Sequence, residues 1–195
     1  MLKKILLGLV VLVLIFILYV VTFFKSGLNT LRTNPNESSI DYVLIEEDLS
    51  KRENYFTWIG QATILLNIDN LNILFDPIFN DRASPFKNIG PKRNVPPAIT
   101  INKLPKIDLI FISHNHYDSF DDHSLRALSK HSPDAIVLAP LGLAQTIKRW
   151  GFKNARDMDW YDKHFVDDIT FMSVSYTHLR AHETKANLVC RLLLE

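Results

Sequence analysis

The sequence has little of what several classes of protein require. It has a single cysteine, Cys190, among 195 residues, and so supports neither a disulfide framework nor a cysteine-based metal cage. Lys and Arg number 22 against 21 Asp and Glu, a net charge of +1, and residues 25–172 hold 17 of the cations and 19 of the anions. Because no basic field is available to neutralise a phosphate backbone, we expect no nucleic-acid partner. The composition, 47% hydrophobic and 22% charged, also excludes collagen-like and strongly disordered chains.

Charge is also absent from one long stretch near the N-terminus. Residues 5–24 contain no charged side chain, with Lys3 and Lys4 before them and Lys25 after them. As a helix this stretch would be about 30 Å long, enough to cross a bilayer core. A cleaved signal peptide is the alternative, but its apolar region is shorter and ends in small residues, whereas this one ends in bulky ones. We therefore predict an uncleaved transmembrane signal-anchor over residues 1–25, with the domain on the extracytoplasmic side of the membrane.

After this stretch the pattern changes twice. Residues 26–54 are mostly polar and predict a tether. Strands are predicted at 56–59, 63–68, 71–75, 107–113, 135–139, 156–160 and 169–173, and helices at 121–131 and 141–150. Six prolines between residues 76 and 105 predict a long functional loop. The alternation of strand and helix predicts an α/β domain, with a mixed sheet and helices packed outside it.

The chemistry is concentrated in the segment Ser113-His114-Asn115-His116-Tyr117-Asp118, directly after a predicted buried strand. Two histidines two residues apart can turn both imidazoles toward one point, and Asp118 can reach a second cation beside the first. Spacing alone leaves two interpretations open, a metal site or a hydrogen-bonded or solvated histidine pair. Asp76, between a predicted strand and Pro77, can equally cap the loop backbone or support a metal ligand.

Six segments together resemble the metallo-β-lactamase superfamily, most of all the branch that contains N-acylphosphatidylethanolamine-hydrolysing phospholipase D. In chain order they are TWIGQATILL (57–66), DPIFNDRASP (76–85), GPKRNVPP (90–97), SHNHYDSFD (113–121), PLGL (140–143) and MDWYD (158–162). The resemblance implies an αββα sandwich and an H-x-H-x-D-H motif that binds two zinc ions. It assigns His114 and His116 to the first zinc, Asp118 to the second zinc and to catalysis, and Asp76 to a supporting role.

Two positions depart from the pattern of that family. The last histidine of the motif is Ser119, a poor zinc ligand that we predict instead as the N-cap of the following helix, so the chain is expected to hold one or two zinc ions. Gln61 stands where relatives often have histidine. His123 could replace the missing ligand, but its place within a helix favours a solvated side chain. Neither departure affects the pair His114 and His116.

Other polar residues are predicted to be structural or solvated. Lys92 and Arg93 could meet a lipid phosphate, but a solvated loop is favoured for both. His131 lies at a predicted helix end, where a cationic side chain favours the helix dipole. His164, beside Asp162 and Lys163, is predicted to lie in a turn.

The C-terminal segment is a separate case. The string VSYTHLRAHET, followed after two residues by NLVCRLLLE, resembles the conceptual translation of a transposase-type sequencing adapter and primer site. We therefore predict that residues 55–172 are the N-terminal part of a hydrolase domain and that residues 173–195 are a non-native tail. On this interpretation His178 and His182 are not zinc ligands, and the chain itself is inactive although its intact parent is an enzyme.

The leading functional hypothesis is a membrane-anchored, zinc-dependent phosphodiesterase that resembles phospholipase D. Its anchor would hold the site near the bilayer, which makes a phospholipid the expected substrate and membrane lipid the expected partner. One alternative is a hydrolase of the same fold that acts on lactones or small phosphodiesters, because a fold does not determine a substrate. Another is a non-catalytic, membrane-tethered binding module.

Overall fold

The computed structural model describes residues 11–25, 41–86, 88–174 and 189–193. Residues 11–25 form helix α1. None of the helices in these ranges combines the length and the apolar character needed to cross a bilayer. The predicted anchor over residues 1–25 and the tether over 26–54 lie partly outside the described ranges.

A six-stranded sheet runs through the domain with its strands in chain order. The strands are β1 (Tyr55–Gly60), β2 (Thr63–Ile68), β3 (Leu71–Phe75), β4 (Leu109–Phe111), β5 (Ile136–Pro140) and β6 (Asn154–Met158). The first three are antiparallel, and β3 to β6 are parallel. Asp69 and Asn70, both at positive φ, form the tight turn between β2 and β3, as their residue types favour.

Two helices cover one face of this sheet and make its parallel crossovers. Helix α2 (Asp122–His131) joins β4 to β5, and α3 (Ala144–Arg149) joins β5 to β6. Short 3-10 turns lie at Leu49–Lys51 and Ile101–Lys103. The core on this side is apolar and fully buried, and its members include Leu65, Leu74, Ile110, Leu125, Leu128 and Ile147.

A second, three-stranded sheet lies against the other face. It consists of β7 (Lys163–Val166), β8 (Ile169–Val174) and β9 (Val189–Leu193), all antiparallel. Its buried side chains Ile169 and Phe171 pack against side chains of the six-stranded sheet, and the rings of Phe111 and Phe171 lie 5.2 Å apart between centroids. The predicted α/β class, with a mixed sheet and helices outside it, is confirmed.

Some predicted boundaries were wrong. The buried strand predicted over 107–113 is only three residues long as β4, and His164 lies in strand β7 rather than in a turn. The predicted domain end at residue 172 stays a prediction; it lies within β8, where Ser173 is buried and its N–H donates to the Asp162 carbonyl over 3.0 Å.

The predicted tail is described only in part. Strand β9 lies within it and pairs with β8 through the backbone. Residues 175–188 and 194–195, with His178 and His182 among them, lie outside the described ranges. The interpretation of residues 173–195 as non-native therefore stays a prediction.

Candidate metal centre

The candidate ligands lie where two parallel strands of the large sheet end. Strands β3 and β4 pair in parallel, with Phe75 opposite Phe111, so their carboxyl ends meet at one edge of the sheet. Asp76 follows β3 directly, and its N–H donates to the Phe111 carbonyl over 2.8 Å. Ser113 and the histidine motif follow β4. The topology thus places Asp76 beside the start of the motif although 37 residues separate Asp76 and Ser113 in the chain.

Three side chains of the motif converge on one point. Ligand atoms of His114, His116 and Asp118 all lie within 4.8 Å of one another. The two imidazole rings stand edge to face, with centroids 4.7 Å apart, and His114 Nε2 lies 3.5 Å from Asp118 Oδ1. Two ligand atoms that each lie about 2.1 Å from a tetrahedral metal ion are about 3.4 Å apart. The 3.5 Å between His114 Nε2 and Asp118 Oδ1 is close to that value, so both atoms could bind the same ion. The residues present therefore fit a metal ion.

His114 is held by a chain of hydrogen bonds behind it. Its Nδ1 lies 2.8 Å from the Ser113 hydroxyl, which leaves Nε2 to face Asp118. The Ser113 N–H donates to Asp76 Oδ1 over 2.7 Å. A histidine that binds a metal commonly uses its second ring nitrogen in this way, which fixes the tautomer and the ring orientation. Sequence reasoning did not identify Ser113, although its place between the strand and the first histidine was a usable signal.

Asp76 makes hydrogen bonds through both its backbone and its side chain, and its role in supporting a metal ligand stays a prediction. Its carbonyl accepts from Thr63 Oγ1 over 2.8 Å, and its carboxylate accepts from Ser113. Burial raises the pKa of Asp76, and the hydrogen bonds from Ser113 partly offset that increase because they favour the charged form. Its φ of 41° lies in the left-handed region, which aspartate tolerates better than most residues.

The prediction for Ser119 as a helix N-cap was wrong. The N-cap of α2 is Asp121, whose Oδ2 accepts from the Ser124 N–H over 2.9 Å. Ser119 is instead buried in the preceding turn, where its N–H donates to the His116 carbonyl over 3.0 Å. Asp121 is fully buried, and its carboxylate reaches the third amide of the helix, where a capping side chain satisfies an otherwise unpaired donor.

Gln61 and His123 both lie outside the ligand cluster in the part of the chain that is described. Gln61 is exposed at φ 52°, and its Oε1 lies 3.5 Å from Arg93 Nη2. His123 is exposed on α2, as predicted, with Nε2 at 3.9 Å from Asp122 Oδ1.

The prediction of a solvated Arg93 was also wrong. This side chain is 8% exposed, and its Nε and Nη1 have no hydrogen-bond partner among the described residues. Burial lowers the pKa of Arg93, while Asp81 and Asp121 act in the opposite direction. The neighbouring Lys92 is partly exposed.

A cavity of about 230 Å³ opens beside the hydrogen-bonded chain of the centre. Asp76 and Ser113 form its polar wall, and Ser173 also contributes to its lining. The rest of the lining is mainly apolar and includes Phe75, Phe111, Ile112, Leu138 and Met158. The centre thus combines a polar ligand cluster with a small, mainly apolar recess.

The sequence is similar to a known protein family and to proteins from several organisms. Residues 71–195 match the family model described as the Beta-lactamase superfamily domain. An uncharacterized protein of Mycobacterium tuberculosis is 36% identical over 126 residues, which cover 63% of this chain and 33% of the relative. The mitochondrial N-acyl-phosphatidylethanolamine-hydrolyzing phospholipase D of Saccharomyces cerevisiae is 36% identical over 128 residues, 65% of this chain and 27% of the relative.

A solved structure shares the fold at low sequence identity. CmlA, a diiron beta-hydroxylase from Streptomyces venezuelae, aligns with a TM-score of 0.54 at 18% identity, over 73% of this chain and 28% of that protein. The aligned part of this chain thus amounts to about a third or less of the length of these three proteins.

Proposed function

The chain belongs to the metallo-β-lactamase superfamily, and from that membership we propose that the intact protein is a metal-dependent hydrolase centred on His114, His116 and Asp118. The observation that carries the proposal is the convergence of their ligand atoms within 4.8 Å, at an edge of the sheet where β3 and β4 end. The hydrogen bonds from His114 through Ser113 to Asp76 add support, because they prepare His114 Nε2 for coordination.

Each residue of the centre has a distinct task in this proposal. The two histidines and Asp118 would hold the metal, which when bound lowers the pKa of water and neutralises charge on the substrate. In this proposal His114 would carry its ring proton on Nδ1 and donate it to the Ser113 hydroxyl, because coordination requires a free Nε2. Asp118 is exposed, so one of its carboxylate oxygens can take up the proton of an attacking water.

We propose zinc as the metal, in one or two ions. Two imidazole nitrogens and one carboxylate oxygen are a donor set that zinc favours. The same donor types also suit non-haem iron, and the fold itself occurs in a diiron hydroxylase, so the fold does not select between the metals. Metal analysis of the intact protein decides this point, and about two zinc per chain is the expected result if Asp118 serves a second ion.

For the substrate we propose a phosphodiester, most simply a phospholipid, near a membrane to which residues 1–25 would anchor the protein. Two observations support this choice. The yeast relative is named for hydrolysis of an N-acyl-phosphatidylethanolamine. The cavity beside Asp76 has a mainly apolar lining, which could accept a short apolar group next to the polar centre.

One observation favours a second candidate. Ser119 lies buried at the position where the family motif has a metal ligand, so the chain has one histidine fewer with which to hold a second ion. A hydrolase of lactones or small phosphodiesters, or a membrane-tethered binding module without catalysis, would tolerate that loss. Metal content and turnover measured together distinguish these alternatives from the leading proposal.

The test uses alanine at His114 and at His116 in the intact protein, with His131→Ala as the matched control. His131 is a partly exposed histidine at the end of α2 and lies outside the ligand cluster. Each ligand variant should lose bound metal and at least about 100-fold of phosphodiester hydrolysis, because a site cannot keep its geometry with a histidine removed. The control should retain both. Hydrolysis that survives both ligand substitutions would remove the basis of the proposal.

A further inference from the structure

The long loop after β3 is closed at its base like a short hairpin. Arg82 and Lys92 form an isolated antiparallel bridge. On one side of the bridge the Ala83 N–H donates to the Pro91 carbonyl over 3.1 Å, and on the other the Arg93 N–H donates to the Asp81 carbonyl over 2.8 Å. These two hydrogen bonds define the bridge and fix the register of the loop base, and with it the positions of Arg82 and Lys92.

The register places two cations directly opposite each other. Side chains of directly opposed residues in an antiparallel pair project from the same face, with Cβ atoms about 5 Å apart, and like charges in that arrangement are destabilising. Among the described residues, no carboxylate lies within 4.0 Å of Arg82 or Lys92. Arg82 Nη1 donates to the Gly90 carbonyl over 2.6 Å, a bond to a neutral acceptor that holds the guanidinium in place.

Both cations line the same cavity. It measures about 660 Å³ and lies between the loop and the first turn of α2. Other side chains that can donate hydrogen bonds line it as well, from Asn80, Ser84, Asn88 and His123, and Asp81 is its acidic member. Two opposed cations and several further donors around one cavity are an arrangement that suits an anion rather than a metal ion.

We propose that this cleft binds a phosphate group, as a monoester or a diester. Arg82 offers its remaining N–H groups in a planar fork that matches phosphate oxygens, and Lys92 adds a compact positive charge beside it. The bound anion would relieve the repulsion between the two cations, which accounts for their opposed positions. The ligands of the metal centre do not line this cleft, so the proposal does not depend on the proposed hydrolase activity.

The phosphate could belong to a small molecule or to a lipid headgroup. Phe86 lies at the cavity and is 63% exposed, so an apolar ring is available next to the cations. An exposed aromatic ring beside basic side chains is typical of surfaces that meet the membrane interface. The shared chemistry is the phosphate oxyanion, and the experiment below separates the two sources.

The first measurement is thermal unfolding of the full chain after metal removal with EDTA, so that phosphate cannot bind through a metal. Inorganic phosphate, titrated at constant ionic strength, should raise Tm. Lys92→Gln should raise Tm in phosphate-free buffer, because it removes the repulsion with Arg82, and it should abolish most of the rise that phosphate causes. By isothermal titration calorimetry, the Kd for phosphate should weaken at least about 10-fold. Lys148→Gln, which replaces an exposed lysine on α3, should respond to phosphate as the unmodified chain does.

The second measurement compares vesicles of phosphatidic acid with vesicles of phosphatidylcholine, using the unmodified chain and Lys92→Gln. Stronger binding to phosphatidic acid that Lys92→Gln reduces supports the proposal with a lipid source. Phosphate binding that depends on Lys92, without any difference between the vesicles, supports it with a soluble source. An absence of any phosphate effect on Tm overturns the proposal. Equal phosphate responses in Lys92→Gln and Lys148→Gln overturn it as well.

Discussion

The two sheets bury their strands in different ways. In the six-stranded sheet, β4 is buried at all three residues, because α2 and α3 cover one face and the second sheet covers the other. In the three-stranded sheet, β8 alternates between buried and partly buried residues, and β7 alternates between exposed and partly buried ones. The large sheet is thus an interior layer, while the small sheet covers it with one face and turns the other to solvent.

This difference explains where the candidate centre lies. A metal site needs ligands held within a few tenths of an ångström, and strands packed on both faces provide that rigidity. The candidate ligands follow β4 and their support follows β3, both in the interior layer. Of the described small-sheet residues, Ser173 lines the cavity beside the centre. We therefore expect substitutions in the two sheets to have effects of very different size.

The largest contrast should come from shortening one side chain in each sheet. Ile110 in β4 is fully buried, whereas Phe165 in β7 is 65% exposed. Ile110→Ala should lower the free energy of unfolding by about 2 to 5 kcal/mol, because it creates a cavity that the packed layer cannot fill. Phe165→Ala should change it by less than about 0.5 kcal/mol. Urea denaturation of both variants measures the difference, and equal losses would contradict the comparison.

The second prediction concerns Asp76, whose carboxylate accepts a hydrogen bond from Ser113 behind the metal ligand His114. Asp76→Asn keeps an oxygen that can accept from the Ser113 N–H but removes the charge that favours coordination by His114. Metal affinity should fall about 10- to 100-fold while the chain stays folded. The matched control is Asp69→Asn, which has a similar positive φ, 48° against 41°, but lies in the β2–β3 turn. If both variants lose the same affinity, as measured by competition with a metal indicator, Asp76 has no special role.

Much of the interior layer could be predicted from the sequence, because its signals are local. Strands β2 and β3 have their predicted bounds, since each is a short run of β-branched and apolar residues and the pair Asp69-Asn70 marks the turn between them. His114, His116 and Asp118 were identified by spacing and by resemblance, and the structure brings them together. A pattern within a few residues of chain was sufficient in each of these cases.

The errors concern features that depend on distant contacts. Strand β7 contains Lys163 and His164 and has no strong strand pattern, so only its pairing with β8 reveals it. Arg93 is buried because the loop base folds back on Asp81, a contact that the motif GPKR does not indicate. Asp121 rather than Ser119 caps α2, because the preceding turn places the aspartate within reach of the Ser124 amide. In each case the outcome depends on geometry that the chain acquires only when folded.

The smallest expected effect lies in the small sheet and concerns pH. His164 in β7 has a buried Nε2 without a hydrogen-bond partner among the described residues. Burial lowers the pKa of His164 below its ordinary value of 6.5, and Arg156 lowers it further because a second positive charge nearby is unfavourable. Between the lowered folded-state value and 6.5, the unfolded chain binds more protons than the folded chain does. The free energy of unfolding should therefore increase as the pH rises through that window. It should decrease again as the pH falls through it.

His164→Gln tests this expectation, because glutamine does not titrate. In metal-free protein, urea denaturation between about pH 5 and 8 should show the unmodified chain losing stability relative to His164→Gln below pH 6.5. The loss should be at most about 1 kcal/mol, since the ring is partly solvated. Arg156→Gln should reduce the same slope without abolishing it, because burial is the larger cause and remains. The expectation fails if the unmodified chain and His164→Gln differ in free energy of unfolding by the same amount at every pH. His164 would then have the same pKa in the folded and in the unfolded chain.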